Sequence, residues 1–243
     1  MPHPVAWAAD SWSALLDLVL PAECAGCAAP GPARALCAAC AAALAQAKPQ
    51  RVRPEPEPPG LPRCVALAAY AGALRGALLA YKERGRHALA GPLGERLADV
   101  VVAGLAGVPA PVLLVPVPAT AAAARGRYGD HMRRLARHAT AGLHRRGWPA
   151  TMSCPVRARP RVDSADLSSA QRLHTAAGAF VVSAGRVAAL REAAGAGATV
   201  VLVDDIVTTG ATLSAVADRL REAGVDVPVA AVLAATQRRV SSR

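Results

Sequence analysis

The chain is poor in aromatic residues: one Phe, three Tyr and three Trp make up 3% of 243 residues. That is sparse for a protein that stacks bases along a single strand, and it leaves core filling to alanine and the branched aliphatics. Lysine is scarcer still, with Lys48 and Lys82 alone, so a formal net charge of +11 rests on arginine. No unbroken apolar stretch nears the roughly 18 residues of a membrane-spanning helix. Asp99, Gly104 and Gly107 interrupt the best candidate. The first residues lack a basic start and carry Asp10 and Asp17, unlike a secretory signal. No membrane insertion and a cytoplasmic location are therefore expected. In that reducing setting the six cysteines read as metal ligands or free thiols before they read as disulfides.

A hydrophobic content of 53% with 19% charged residues lies within the globular range. Between Arg125 and Arg172 eleven arginines face only Asp130, Asp163 and Asp166. Such a stretch suits a polyanion, either a phosphorylated small ligand or a nucleic-acid backbone, and it equally suits a solvated arginine face. Proline density at 49–62 predicts an extended, semi-rigid linker. It separates an N-terminal subdomain over 1–48 from a larger domain over 63–243.

After Leu61, short apolar runs alternate with helical periodicity, which predicts an α/β fold with a mostly parallel sheet flanked by helices. Strands are expected at Cys64–Tyr70, Val112–Val117, Thr199–Val203 and Val227–Ala234. Helices are expected at Leu74–Tyr81, Gly94–Gly104, Tyr128–Arg145 and Thr212–Ala223.

The most informative segment is Val200–Thr212, VVLVDDIVTTGAT. Four apolar residues fit a buried parallel strand, and helical periodicity begins where the segment ends. A helix N-terminus at that junction offers unpaired N–H groups and partial positive charge to a phosphate. Gly210 lets the backbone approach an anion, and the hydroxyls of Thr208, Thr209 and Thr212 can donate to phosphate oxygens. Asp204 and Asp205 cannot bind phosphate themselves; they make sense if the ligand also presents hydroxyls or a metal.

Near the N-terminus, Cys24 and Cys27 form one C-x-x-C pair and Cys37 and Cys40 another. Two such knuckles can give four thiolates to a tetrahedral Zn²⁺ of structural type, with redox-active or merely buried thiols as the other readings. Cys64 and Cys154 read as packed apolar thiols.

All thirteen positions of Val200–Thr212 resemble the 5-phosphoribosyl 1-diphosphate (PRPP) signature of type I phosphoribosyltransferases. Joined to the four cysteines, the chain resembles the ComF family, the competence protein F group of phosphoribosyltransferase-like proteins. Further elements carry the likeness: Tyr81-Lys82 with Gly85, Val115-Pro116-Val117-Pro118, the Arg125 and Arg127 run, and Leu167–Phe180. Tyr128-Gly129-Asp130-His131 departs from the family's G-F-N-Q, and His174 from its asparagine, at positions that could contact the group attacking the sugar. The resemblance implies that Thr208, Thr209, Gly210, Ala211 and Thr212 hold the 5-phosphate and that Asp204 and Asp205 hold the ribose hydroxyls. It implies that Arg125 and Arg127, with Mg²⁺, offset the diphosphate charge; Lys82 is either a further phosphate ligand or a surface lysine. The implied reaction is phosphoribosyl transfer to a nitrogen acceptor. Two alternatives go with it: a competence factor acting on single-stranded DNA with competence-machinery proteins, and a non-catalytic PRPP sensor.

Overall fold

The computed structural model describes residues 23–30, 35–106, 110–119, 129–159 and 179–236. In chain order its elements begin with α1 (Ala38–Gln46), β1 (Gln50–Val52), β2 (Arg63–Ala69), α2 (Gly72–Glu83) and α3 (Ala90–Gly104). There follow β3 (Val112–Pro116), α4 (His131–Arg145), β4 (Ala150–Met152), β5 (Val156–Ala158) and β6 (Phe180–Val182). The chain continues through α5 (Ala184–Gly195), β7 (Thr199–Val207), α6 (Ala211–Glu222) and β8 (Val229–Ala235).

Six strands form one sheet in the order β1-β2-β8-β7-β3-β4, and β5 pairs with β6 as a separate antiparallel hairpin. Within the large sheet β1 alone runs antiparallel to its neighbour; all other pairs are parallel. The central strands are apolar throughout because both their faces are covered. VLLVP of β3 and VAAVLAA of β8 are buried at every position.

Two hydrophobic layers result. Under α2, α3 and α4 lie Leu67, Leu93, Leu97, Leu114, Leu135, Val201 and Val203. Under α5, α6 and the hairpin lie Phe180, Leu190, Leu202, Leu213, Val216, Leu220 and Val232. Each fully buried leucine stabilises the fold by about 1.5–3 kcal/mol.

The expected strand at Thr199–Val203 extends to Val207, because pairing with β8 continues as far as Val207 opposite Ala235. The ladder therefore carries the acidic pair inside the strand. The expected helix from Tyr128 starts at His131, where Asp130 caps it by accepting the Arg133 N–H at 3.0 Å.

The chain runs from β3 through α4 to β4 on one side, then returns to place β7 on the other side of β3. Open α/β sheets collect ligands in the crevice beyond the carboxyl ends of the strands that flank such a reversal, here β3 and β7.

The segment 49–62 is anchored along its length. Gln50–Val52 pair with β2, the Ser214 hydroxyl donates to the Pro59 carbonyl, and Arg221 donates to the Gly60 carbonyl at 2.6 Å. It lies as a strap along α6, touching it from Ser214 to Arg221. The cysteine-bearing segment also joins the main body: Ala25 and Leu44 belong to the same core layer as Leu74 and Leu78 of α2.

Candidate functional site

The turn after β7 begins with Thr208 and Thr209, both exposed, and Gly210 then takes φ +75° as the residue that starts α6. A side chain there would be strained by that backbone alone. A Cβ would also lie 3.0 Å from Leu61 and 3.2 Å from Pro54, so the strap packs onto the turn at its glycine. Thr209 Oγ1 accepts the Ala211 N–H at 3.4 Å, and Thr212 is exposed one residue further on. The first N–H groups of a twelve-residue helix and three threonine hydroxyls thus share one edge of the sheet. Unpaired helix N–H groups and hydroxyls of this kind are the groups an anion can use.

The two carboxylates just before the turn differ sharply. Asp205 is 4% exposed, and a single oxygen, Oδ2, meets two side chains: Lys82 Nζ of α2 at 2.7 Å and His131 Nε2 of α4 at 3.2 Å. Burial alone would raise its pKa. The His131 hydrogen bond and the Lys82 charge outweigh burial and bring it down to about 2. Asp204 is half-buried, and its Oδ1 accepts the Asp205 N–H at 2.9 Å. Burial, followed by the neighbouring Asp205 charge, raises it well above the usual carboxylate range. One carboxylate is therefore a fixed anion and the other favours its proton, the kind of split that separates roles between paired acids.

His131 is 5% exposed, and its Nδ1 is buried with no hydrogen-bond partner. Its backbone carbonyl accepts the Tyr81 hydroxyl at 2.7 Å, and the two rings meet edge-on with centroids 6.3 Å apart. Burial pushes the Tyr81 phenol up to about 12, so it remains a donor.

The four cysteines converge. The sulfurs of Cys24, Cys27, Cys37 and Cys40 all lie within 4.8 Å of one another, with Cys27 Sγ and Cys37 Sγ 3.8 Å apart. A tetrahedral ion with Zn–S bonds of about 2.3 Å needs sulfurs about 3.8 Å apart, so the set fits zinc. Burial would raise the Cys24 thiol, but N–H donors from Cys37, Cys27 and Gly26 bring it down to about 6. Burial and the neighbouring thiols push Cys40 the other way. Gly26 leaves room for the cluster, since a Cβ there would lie 2.8 Å from Cys40 Sγ.

Residues 160–243 match the family model of the phosphoribosyl transferase domain. The matched stretch contains β6, α5, β7, α6 and β8, and with them Asp204, Asp205 and the Thr208–Thr212 turn. No curated protein matches the chain. The phosphoribosyl transferase match thus includes the threonine turn and the start of α6. Lys82 and the four cysteines precede it in sequence.

Of the other residues expected at the site, Lys82 lies beside the turn but is bound to Asp205, while Arg125 and Arg127 lie outside the described residues. His131 was not among the site residues that the sequence singled out. Its contact with Asp205 spans 74 residues, and only its place in the Tyr128–His131 departure hinted at it. The arginine-rich stretch is less free than its composition suggests: Arg146 pairs with Glu95 at 2.8 Å and Asp99 at 2.7 Å, and Arg145 also pairs with Glu95. Arg133 and Arg137 of α4 are exposed. Among the described residues no helix is long and apolar enough to cross a membrane.

Proposed function

We propose that the chain binds a 5-phosphoribosyl diphosphate-type ligand at the crevice beyond β3 and β7 and transfers its phosphoribosyl group to a nitrogen acceptor. One observation carries this reading: a buried strand delivers an acidic pair to the same sheet edge where α6 presents an exposed threonine turn. Thr208–Thr212 would hold the 5-phosphate through hydroxyls and helix N–H groups. Asp204 and Asp205 would take the ribose hydroxyls, while Arg125 and Arg127 would face the diphosphate.

Apart from the cysteines, no His, Cys, Asp or Glu cluster among the described residues is grouped to hold a metal. That suits Mg²⁺ carried on the diphosphate, because this ion is usually bound through substrate phosphates rather than in an all-protein cage. When bound, Mg²⁺ supplies charge neutralisation for the leaving diphosphate. The chain's own residues contribute orientation and a preset electrostatic environment rather than covalent chemistry. The cysteine cluster, as a closed four-thiolate zinc site, would be structural. Its presence beside a phosphoribosyl transferase domain supports the likeness to the ComF family.

A single-stranded DNA role has less support. Tyr81, Trp148 and Phe180 are buried, which leaves half-buried Tyr70 as the aromatic with an accessible ring among the described residues.

Mixing the full chain with labelled PRPP, Mg²⁺ and a panel of nucleobases tests the proposal. Base-dependent release of diphosphate identifies a transferase, and binding without release identifies a sensor. Absence of PRPP binding rejects both.

A further inference from the structure

Asp205 is held in an unusual way for a residue assigned to a ligand. Lys82 comes from the last turn of α2 and His131 from the first turn of α4, and both reach Oδ2. Both of these partners end on the same oxygen, and the neighbouring Asp204 side chain is the other polar group in contact with the carboxylate. Lys82 is 24% exposed along its side chain and His131 only 6%, so one partner is partly open to solvent and the other is sealed. Tyr81, the residue before Lys82, donates to the His131 carbonyl and so ties the two partners together across the helix pair.

We propose that Lys82 and His131 are positioning residues, which occupy Oδ2 of Asp205 and so present Oδ1, oriented and free of metal, to a sugar hydroxyl of the ligand. The inference rests on the phosphoribosyl reading of the site and reassigns Lys82 from a phosphate ligand to a partner of the acidic pair. An ammonium 2.7 Å from the carboxylate opposes a second cation there, so Asp205 recognises a hydroxyl and the metal stays with the diphosphate. A carboxylate held from two elements also needs little reordering when the ligand arrives, which is the advantage of preorganisation. The groups facing Asp205 are Asp204 from β7, Lys82 and Tyr81 from α2, and His131 from α4. Of these, the two that bond Oδ2 are those that favour its ionised form.

The test uses two readouts on the full zinc-loaded chain. Carboxyl ¹³C NMR follows Asp205 without ligand, and calorimetry follows ribose 5-phosphate binding between pH 4.5 and 8. In the wild type Asp205 shows no titration above pH 4. In Lys82→Met its titration moves up by about one pH unit or more and ribose 5-phosphate binds about tenfold more weakly at pH 7. Lys82→Arg keeps the charge and restores binding to within about threefold. His131→Gln, which can still donate to Oδ2, behaves like the wild type, while His131→Leu behaves like Lys82→Met.

If Lys82→Met weakens binding but leaves the Asp205 titration unmoved, Lys82 is a direct phosphate ligand and the proposal is wrong. If the titration moves while the wild type binds no ribose 5-phosphate, the hold on Asp205 stands and the phosphoribosyl reading falls. If binding is present and neither readout responds to Lys82→Met or His131→Leu, the positioning role is overturned on its own.

Discussion

Gly76 of α2 sits against the backbone of Gly26 so closely that a Cβ at position 76 would lie 2.2 Å from the Gly26 carbonyl oxygen. Gly26 lies between Cys24 and Cys27, so the cysteine knuckle rests directly on α2. Four residues after Gly76, α2 enters its last turn, which carries Tyr81 to the His131 carbonyl and Lys82 to Asp205. Arg86, just beyond the helix, donates to the Glu23 carbonyl and closes the contact from the other end. Gly76→Ala should therefore force the knuckle off the helix. Backbone cannot yield as a flexible side chain can, and overpacking of this kind costs about 1–3 kcal/mol. Thermal unfolding of the zinc-loaded variant should show that loss while elemental analysis still finds one zinc. Wild-type stability would mean that the two segments separate without cost.

The metal itself should matter to the same contact. Folded, unchelated protein should contain one equivalent of zinc, and Cys27→Ser or chelation should lower the melting temperature because the short segment gains its fold from the ion. Less than half an equivalent would count against the zinc reading, since the four sulfurs are already grouped for it.

The acidic pair predicts an opposite pH dependence for its two members. Asp204 has a folded pKa raised by burial and by Asp205, so ionising it costs stability. That cost is absent below the unfolded value near 3.9 and grows as pH rises toward the folded value, by about 1.4 kcal/mol for each pH unit between the two. Asp204→Asn keeps an oxygen for the Asp205 N–H and removes the charge. It should stabilise the ligand-free protein at pH 7 and give no gain near pH 3.5. Asp205 is depressed to about 2, so its contribution is fully present above about 3.9 and is lost as pH falls toward 2. Urea unfolding at several pH values measures both. A stabilised Asp204→Asn that binds ligand poorly would mark Asp204 as a residue kept for function at the expense of the fold.

The legible parts of this protein were those that lie close together in the chain. Val200–Thr212 holds a strand, an acidic pair, a threonine turn and a helix start within thirteen residues, and the cysteine pairs lie within seventeen. The partners of Asp205 were not legible, because Lys82 and His131 reach it from two other elements through the fold. Helix α5 escaped for a different reason: it buries only Val187 and Leu190, too few apolar positions to establish a helical period. The three-residue strands β1, β4, β5 and β6 are shorter than any alternation that a sequence can display. The proline-rich strap reads as a linker by composition, and its role against the turn depends on which helix it happens to cross.

That strap supplies the last prediction. Gly210 is constrained twice: by φ +75° and by Leu61 and Pro54 at 3.0 and 3.2 Å from where a Cβ would stand. The two causes are separable. Gly210→Ala should destabilise the protein by more than about 1 kcal/mol, because alanine meets both the left-handed backbone and the strap. Leu61→Ala alone loses part of a half-buried side chain and should cost less than the 2–5 kcal/mol of a full core truncation, roughly 1–2 kcal/mol. In the double variant the collision with Leu61 is gone while the backbone strain remains, so the combined loss should be smaller than the two single losses added together. Chemical denaturation of all four proteins gives the coupling energy, and calorimetry with ribose 5-phosphate shows whether the turn still binds. Strictly additive losses would mean that the strap does not press on Gly210. If Leu61→Ala also weakens ligand binding by more than its small cost in stability explains, the strap sets the shape of the phosphate turn as well as covering it.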